Sequence, residues 1–251
     1  MKSVRSIVIS VGTLSLSFLL LVLMSQVALA DSAQNNFVGN DACASCHEAQ
    51  VQDWTNSHHD LAMQEVNEKT VLGDFDNATF IYGGVTTTFS RRGDEYWVKT
   101  DNESGELQDY RVAYVFGVYP LQQLLLPIQN DRLNALSIAW DARNASEGGQ
   151  SWYHIYEDQE PVTSESPLHW TGVYHNWNSR CAECHSTNVV KGYDGERRQY
   201  TTTYDQIDVG CEACHGPGSR HVELATAGKV NRSQNPAAVS YTHLTLPTIR
   251  L

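Results

Sequence analysis

Cysteine is scarce in this chain and strictly confined. There are six in 251 residues, none outside a short pattern described below, so no pair is left over for a separate disulfide framework. Positive charge is also in short supply: 17 Lys and Arg face 29 Asp and Glu, a formal net charge of -12. A chain so acidic cannot neutralise phosphates, which excludes nucleic acid as a partner. No glycine-rich phosphate loop and no hydrolase triad pattern is present. Beyond the N-terminus no apolar run is long enough to span a bilayer.

The apolar exception lies at the start. Lys2 and Arg5 precede a hydrophobic stretch densest over Phe18-Leu19-Leu20-Leu21-Val22-Leu23-Met24, and Ala28-Leu29-Ala30 forms a small-x-small cleavage site before Asp31. Residues 1–30 read as a secretion signal, with an uncleaved anchor as the alternative. Cleavage removes two positive charges and leaves 15 basic against 29 acidic residues, a net of -14.

All six cysteines fall in one repeated pattern, Cys-x-x-Cys-His: Cys43-Ala44-Ser45-Cys46-His47, Cys181-Ala182-Glu183-Cys184-His185 and Cys211-Glu212-Ala213-Cys214-His215. This is the signature of covalent haem c attachment. Two thiols three positions apart share one turn of helix and can add to the two vinyl groups on one haem edge. The histidine that follows then supplies the proximal iron ligand, its other ring nitrogen usually donating to a carbonyl or carboxylate. Three haem c groups are expected. A four-cysteine zinc site from Cys181, Cys184, Cys211 and Cys214 leaves the first pair and the three histidines unexplained. Disulfides suit an exported protein but also ignore the histidines.

The motifs are unevenly spaced. The long interval between the first and second carries turn signals at Arg92-Gly93-Asp94, Ser104-Gly105 and Asn130-Asp131. Strands are expected at Val85–Phe89, at Tyr96–Val98, along Tyr110, Val112, Tyr114 and Phe116, and along Leu136, Ile138 and Trp140. Leu121–Leu126 fits strand or helix, with Pro127 ending it. Helix is expected over residues 48–68 and 219–227. The fold class is therefore α+β: haem-packed helices and loops with an inserted antiparallel β meander or sandwich. The divisions are a signal peptide at 1–30, a first haem-binding segment at 31–75, the β-rich insertion at 76–157, the second and third haem-binding sites at 158–230, and a linker and tail at 231–251. Ser240-Tyr241-Thr242-His243-Leu244-Thr245-Leu246-Pro247-Thr248-Ile249 resembles translated sequencing-adapter DNA, so His243 is not counted as a ligand and the natural chain is expected to continue differently.

Two segments carry a family resemblance. Trp54-Thr55-Asn56-Ser57-His58-His59 follows the first motif, and the third continues as Gly216-Pro217-Gly218-Ser219-Arg220-His221. Both are similar to the multihaem cytochrome c554 superfamily. Pro120-Leu121-Gln122-Gln123, Ala139-Trp140-Asp141, Trp170-Thr171-Gly172 and Asn176-Trp177-Asn178, running into Cys181 and on to Ser186-Thr187-Asn188, resemble bacterial multihaem cytochromes fused to tetratricopeptide repeats. The likeness covers most of residues 37–228. It implies a bacterial periplasmic protein with redox partner proteins. Superfamily members include electron carriers and reductases of nitrogen and sulfur oxyanions, and the fold does not choose between them.

Distal ligands decide that choice. The resemblance implies His59 and His221. Six extended residues separate His221 from its own His215 and span about 20 Å, so a neighbouring haem is its expected target. His169 is the third choice for an iron. His58 reads as a surface residue, His154 as a packed strand residue, and His175 has no favoured role. Two histidines on every iron imply periplasmic electron transfer. An open iron implies a reductase that takes a small oxyanion, with Tyr174 or Arg180 as candidates to supply a proton or charge. A third reading is a haem-bearing redox sensor or scaffold whose repeat domain is lost. The second and third haems, close in sequence, are expected to pack together.

Overall fold

A computed structural model describes residues 35–158 and 161–229. The segments expected to be a signal peptide (1–30) and a linker and tail (231–251) lie outside the described residues. Short helices and antiparallel sheets make up the chain, as an α+β reading requires.

Two β layers occupy the centre. Strands β2 (Asp76–Tyr82), β3 (Val85–Arg92), β4 (Glu95–Asp101) and β5 (Leu107–Arg111) form a four-stranded meander. The other layer has the order β1 (Met63–Glu65), β6 (Tyr114–Phe116), β7 (Leu121–Ile128), β9 (Ile138–Asp141) and β10 (Ser151–His154), with β8 (Arg132–Ala135) also paired to β7. The alternating run Tyr110–Phe116 is divided between the layers. Tyr110 pairs with Val98 in the meander, whereas Tyr114 pairs with Leu125 in the larger sheet. A single sequence alternation thus carries the chain from one layer to the other.

Leu121–Leu126 is strand, and Pro127 lies within it rather than ending it. At Pro127 the only neighbouring strand is β8, so the absent N–H is tolerated as it is at a sheet edge. The expected helix over 48–68 is shorter: α2 covers Glu48–Trp54, after α1 at Asn40–Ala44. Thr55 turns extended and Asn56 takes φ 61°, and Met63–Glu65 is claimed by pairing with β6.

The interlayer core is rich in aromatic side chains. Trp152 stacks on Phe89 with ring centroids 3.7 Å apart and 3° between planes, while Phe75 and Trp140 meet it edge-on. Val98, Val115, Leu124, Leu126 and Leu136 complete the packing. Two buried amides tie flanking segments to this scaffold. Gln122 accepts from Leu72 N–H (2.9 Å) and donates to Thr70 carbonyl (2.8 Å). Asn134 donates to the carbonyls of Trp170 (2.8 Å) and Gly172 (3.0 Å). The second amide fixes the segment that leads into the second motif.

Candidate haem sites

Each motif forms one turn of helix. His47 N–H donates to Cys43 carbonyl at 2.9 Å and His185 N–H to Cys181 carbonyl at 3.2 Å, and the third motif is helix α5, Cys211–His215. The i to i+4 closure brings the two thiols of a motif to one side, as single-edge attachment requires. All six cysteines are free, and Cys46 and Cys184 are exposed. Among the described residues no three His, Cys, Asp or Glu side chains converge on a metal position.

The second motif is held by the β scaffold. Helix α3 (Trp177–Arg180) precedes it, capped by Asn176, whose side chain accepts from Ser179 N–H. Asn178 accepts from Leu133 N–H (2.8 Å) and donates to Thr202 hydroxyl (2.9 Å), which fastens α3 to the end of β8. Helix α4 (Ala182–His185) follows. His185 Nδ1 lies 3.0 Å from Ala62 carbonyl. A carbonyl only accepts, so Nδ1 carries the proton and Nε2 keeps its lone pair for a metal. The edge of Phe116 packs on this imidazole at 5.2 Å.

From there the chain is tied to the third motif. Ser186 hydroxyl donates to Ile207 carbonyl (2.9 Å), Thr187 hydroxyl donates to Asp208 carbonyl (2.8 Å), and Thr187 accepts from Gly210 N–H (2.9 Å). Both side chains are buried. Gly210 is pressed between Gln206 and Asn40, where a Cβ would collide with both.

The first and third motifs touch directly. Asn40 accepts from Cys211 N–H at 2.9 Å, satisfying a donor at the start of α5. The thiols of Cys43 and Cys211 meet, and burial, followed by that neighbour and Glu212, pushes the Cys43 thiol up to about 11. Glu212, 3% exposed, accepts from Val38 N–H (2.9 Å to its nearer oxygen), Gly39 N–H (2.7 Å) and Gly218 N–H (2.7 Å). Val209 N–H donates to His59 carbonyl (3.1 Å), and Trp54 indole N–H donates to Val209 carbonyl (2.9 Å). The second and third sites are thus joined through Thr187, and the first contacts the third directly through Asn40 and Cys43.

Helix α6 (Ser219–Thr226) begins after the Gly216-Pro217-Gly218 turn and delivers His221 to the first motif. The rings of His47 and His221 have centroids 6.1 Å apart with 27° between planes. Two imidazoles bound to opposite faces of one metal at about 2 Å per bond place their ring centres about 6 Å apart. His59 is exposed, with its backbone anchored beside the third motif.

His169 is placed elsewhere. It is buried in the β scaffold, where Nε2–H donates to Asp101 carboxylate (3.1 Å) and Nδ1 accepts from Thr171 hydroxyl (2.8 Å). Both ring nitrogens are occupied, which leaves none for an iron. The neighbouring Trp170 indole N–H donates to Asp101 carbonyl at 2.9 Å. His154 stacks on Tyr82 at 3.6 Å and accepts from Tyr156 N–H, and His175 donates to Leu168 carbonyl. These histidines belong to the packed β layers. Burial from solvent was the missing information; the sequence signal was the alternation of Trp152, His154 and Tyr156, which applies to His154 alone.

Paired thiols on one helical turn, a following imidazole with its tautomer set, and a second imidazole at the right span all suit haem c. A family model described as cytochrome c554 and c-prime matches residues 42–78 and 139–216, segments that contain all three motifs. The chain is a multihaem c-type cytochrome of this family. The break in the match, 79–138, falls on the β layers of the cytochrome. His221 lies just past the matched residues. The cytochrome is also similar to a solved structure, the outer cell wall cytochrome OcwA, at 20% identity and a TM-score of 0.47, over 76% of this chain and 34% of that one. It spans about a third of the length of that protein. No curated protein matches the chain.

Proposed function

We propose that this cytochrome is an exported bacterial periplasmic electron carrier. Its three haem c groups are attached at Cys43 and Cys46, at Cys181 and Cys184, and at Cys211 and Cys214, with His47, His185 and His215 as proximal ligands. When bound, each haem supplies a one-electron ferric/ferrous couple. The chain's residues hold these groups close together, set the imidazole tautomers and close axial positions. Its partners are redox proteins.

The observation that carries this reading is the pairing of His47 with His221, whose ring centroids lie 6.1 Å apart. An iron with an imidazole on each side has no position left for substrate, so it can exchange electrons but performs no bond chemistry. His221 is therefore the sixth ligand of the first motif's iron. His59, anchored next to the third motif, is the candidate for a second iron. The test is an electron paramagnetic resonance spectrum of the mature protein, with and without cyanide. A low-spin signal at the His47 iron that cyanide leaves unchanged supports the carrier. A high-spin, cyanide-binding iron there would remove the basis for it.

A second reading rests on His169. Its capture by Asp101 and Thr171 leaves one iron, for which we take that of His185, without a histidine as sixth ligand. An open iron there would admit a small nitrogen or sulfur oxyanion and make the protein a reductase. The same spectrum separates the two, because only the reductase shows a high-spin iron that nitrite or sulfite perturbs.

A further inference from the structure

We infer that Glu212 is a positioning residue: a carboxylate in the third motif that controls the axial ligation of the first. This rests on the reading of His221 as the sixth ligand of the His47 iron. Glu212 occupies the first variable position of Cys211-Glu212-Ala213-Cys214-His215, a place the attachment chemistry leaves unspecified. Solvated carboxylates are common at such positions. This one is 3% exposed and joins the turn just after its own motif to a stretch more than 170 residues earlier in the chain.

One stretch is the lead-in to the first motif. Val38 N–H and Gly39 N–H both donate to Glu212, and Gly39 immediately precedes the first turn of α1. The other is the turn after the third motif. Gly218 N–H donates to Glu212, and Gly218 is the residue on which α6 starts. His47 hangs from the first stretch and His221 from the second. The carboxylate is thus the buried link that sets the distance between the two rings. Three N–H donors converge on it without a cationic side chain among these contacts. Such charge-assisted bonds are short and strong. Breaking them leaves part-buried amide donors without their acceptor.

Glycine eases the approach. A Cβ at Gly218 would press within 3.2 Å of Glu212 and 3.3 Å of Val38, so any side chain there would push the carboxylate or Val38 aside by a few tenths of an ångström. Asn35 adds an outer tether, donating to Pro217 carbonyl (2.6 Å) and accepting from Arg220 N–H (3.0 Å). An amide in place of the carboxylate would retain one acceptor oxygen and turn an NH2 toward a backbone N–H. Glu212→Gln is therefore nearly isosteric yet breaks the knot.

The experiment compares four mature proteins: wild type, Glu212→Gln, His221→Ala and the double variant. Haem content is measured by pyridine haemochrome, and spin state and cyanide binding by paramagnetic resonance. Glu212→Gln should keep all three haems and show high-spin, cyanide-binding iron where the wild type has none. The double variant should show no more of it than His221→Ala alone, because Glu212 acts through His221. An unchanged low-spin spectrum in Glu212→Gln with full haem content overturns the inference. So does an additive effect in the double variant, which would place the action at the His215 iron. If His221→Ala itself leaves the spectrum unchanged, the ligand reading fails instead. Should Glu212→Gln not mature, Asn35→Ala decides: this exposed tether should give a smaller high-spin fraction in the same direction, and a wild-type spectrum overturns the inference.

Discussion

The ring of His221 lies 6.1 Å from the ring of His47, although His221 follows the third attachment motif and His47 closes the first. The helix that follows the third motif is thereby brought against the end of the first. His221→Ala should open the His47 iron and leave the iron of its own motif unchanged. Proton resonances shifted by the haem bound to Cys43 and Cys46 should move on cyanide addition, while those of the haem at Cys211 and Cys214 stay in place. Movement of the second set alone would assign His221 to the wrong iron.

Attachment itself is open to a direct count. Made with a c-type maturation system, the protein should gain the mass of three haems and retain them in acid acetone. Replacing Cys181 and Cys184 together with Ala should reduce the gain to two. A colourless chain that binds zinc would contradict the assignment of all three motifs.

The aromatic stack should carry much of the stability of the β layers. Trp152→Ala removes the ring that stacks on Phe89 and meets Phe75 and Trp140. A loss of about 3–5 kcal/mol in urea unfolding is expected for a truncated buried tryptophan. Haem content should not change, because no attachment residue touches that core. A loss below about 1 kcal/mol would show that the layers repack around the gap.

Acid should weaken the fold through His154. Burial, followed by the nearby His175 and His169, lowers its pKa from 6.5 to about 4. The unfolded chain then binds the proton more readily than the folded one. The contribution of neutral His154 is complete above about pH 6.5 and is lost as pH falls toward 4. Urea midpoints measured across that window should fall less steeply for His154→Gln than for wild type. Parallel slopes would show that His154 does not contribute to the acid sensitivity.

The helical turns of the three Cys-x-x-Cys-His motifs were legible in the sequence because they are local: two thiols and an imidazole on one turn need no distant partner. Strand periodicity in Val85–Phe89 and around Trp140 was legible for the same reason. Side chains whose roles depend on remote contacts were not. Pro127 looked like a terminator until β7 proved to have a single neighbour there. His169 looked available because nothing nearby in sequence announces Asp101 across the core. His221 was expected to reach beyond its own motif, but its place beside His47 goes with contacts of Glu212 to Val38, Gly39 and Gly218 that sequence spacing does not announce. Residues 48–68 have a helical composition, yet pairing of Met63–Glu65 with β6 takes precedence over that local preference.

The clasp between His47 and His221 also has a place in time. If the chain is exported as proposed, the first motif emerges well before residue 221, and the β layers lie between them in chain order. In the proposed reading, a haem joined to Cys43 and Cys46 at that stage holds an iron with one imidazole and one bare face, open to water or any small ligand present. The bare face closes only after both sheets have formed, the third motif has docked and its trailing helix has turned back. The colour of that one iron would then record, in a nascent chain, the moment at which assembly of the whole haem-bearing region is finished.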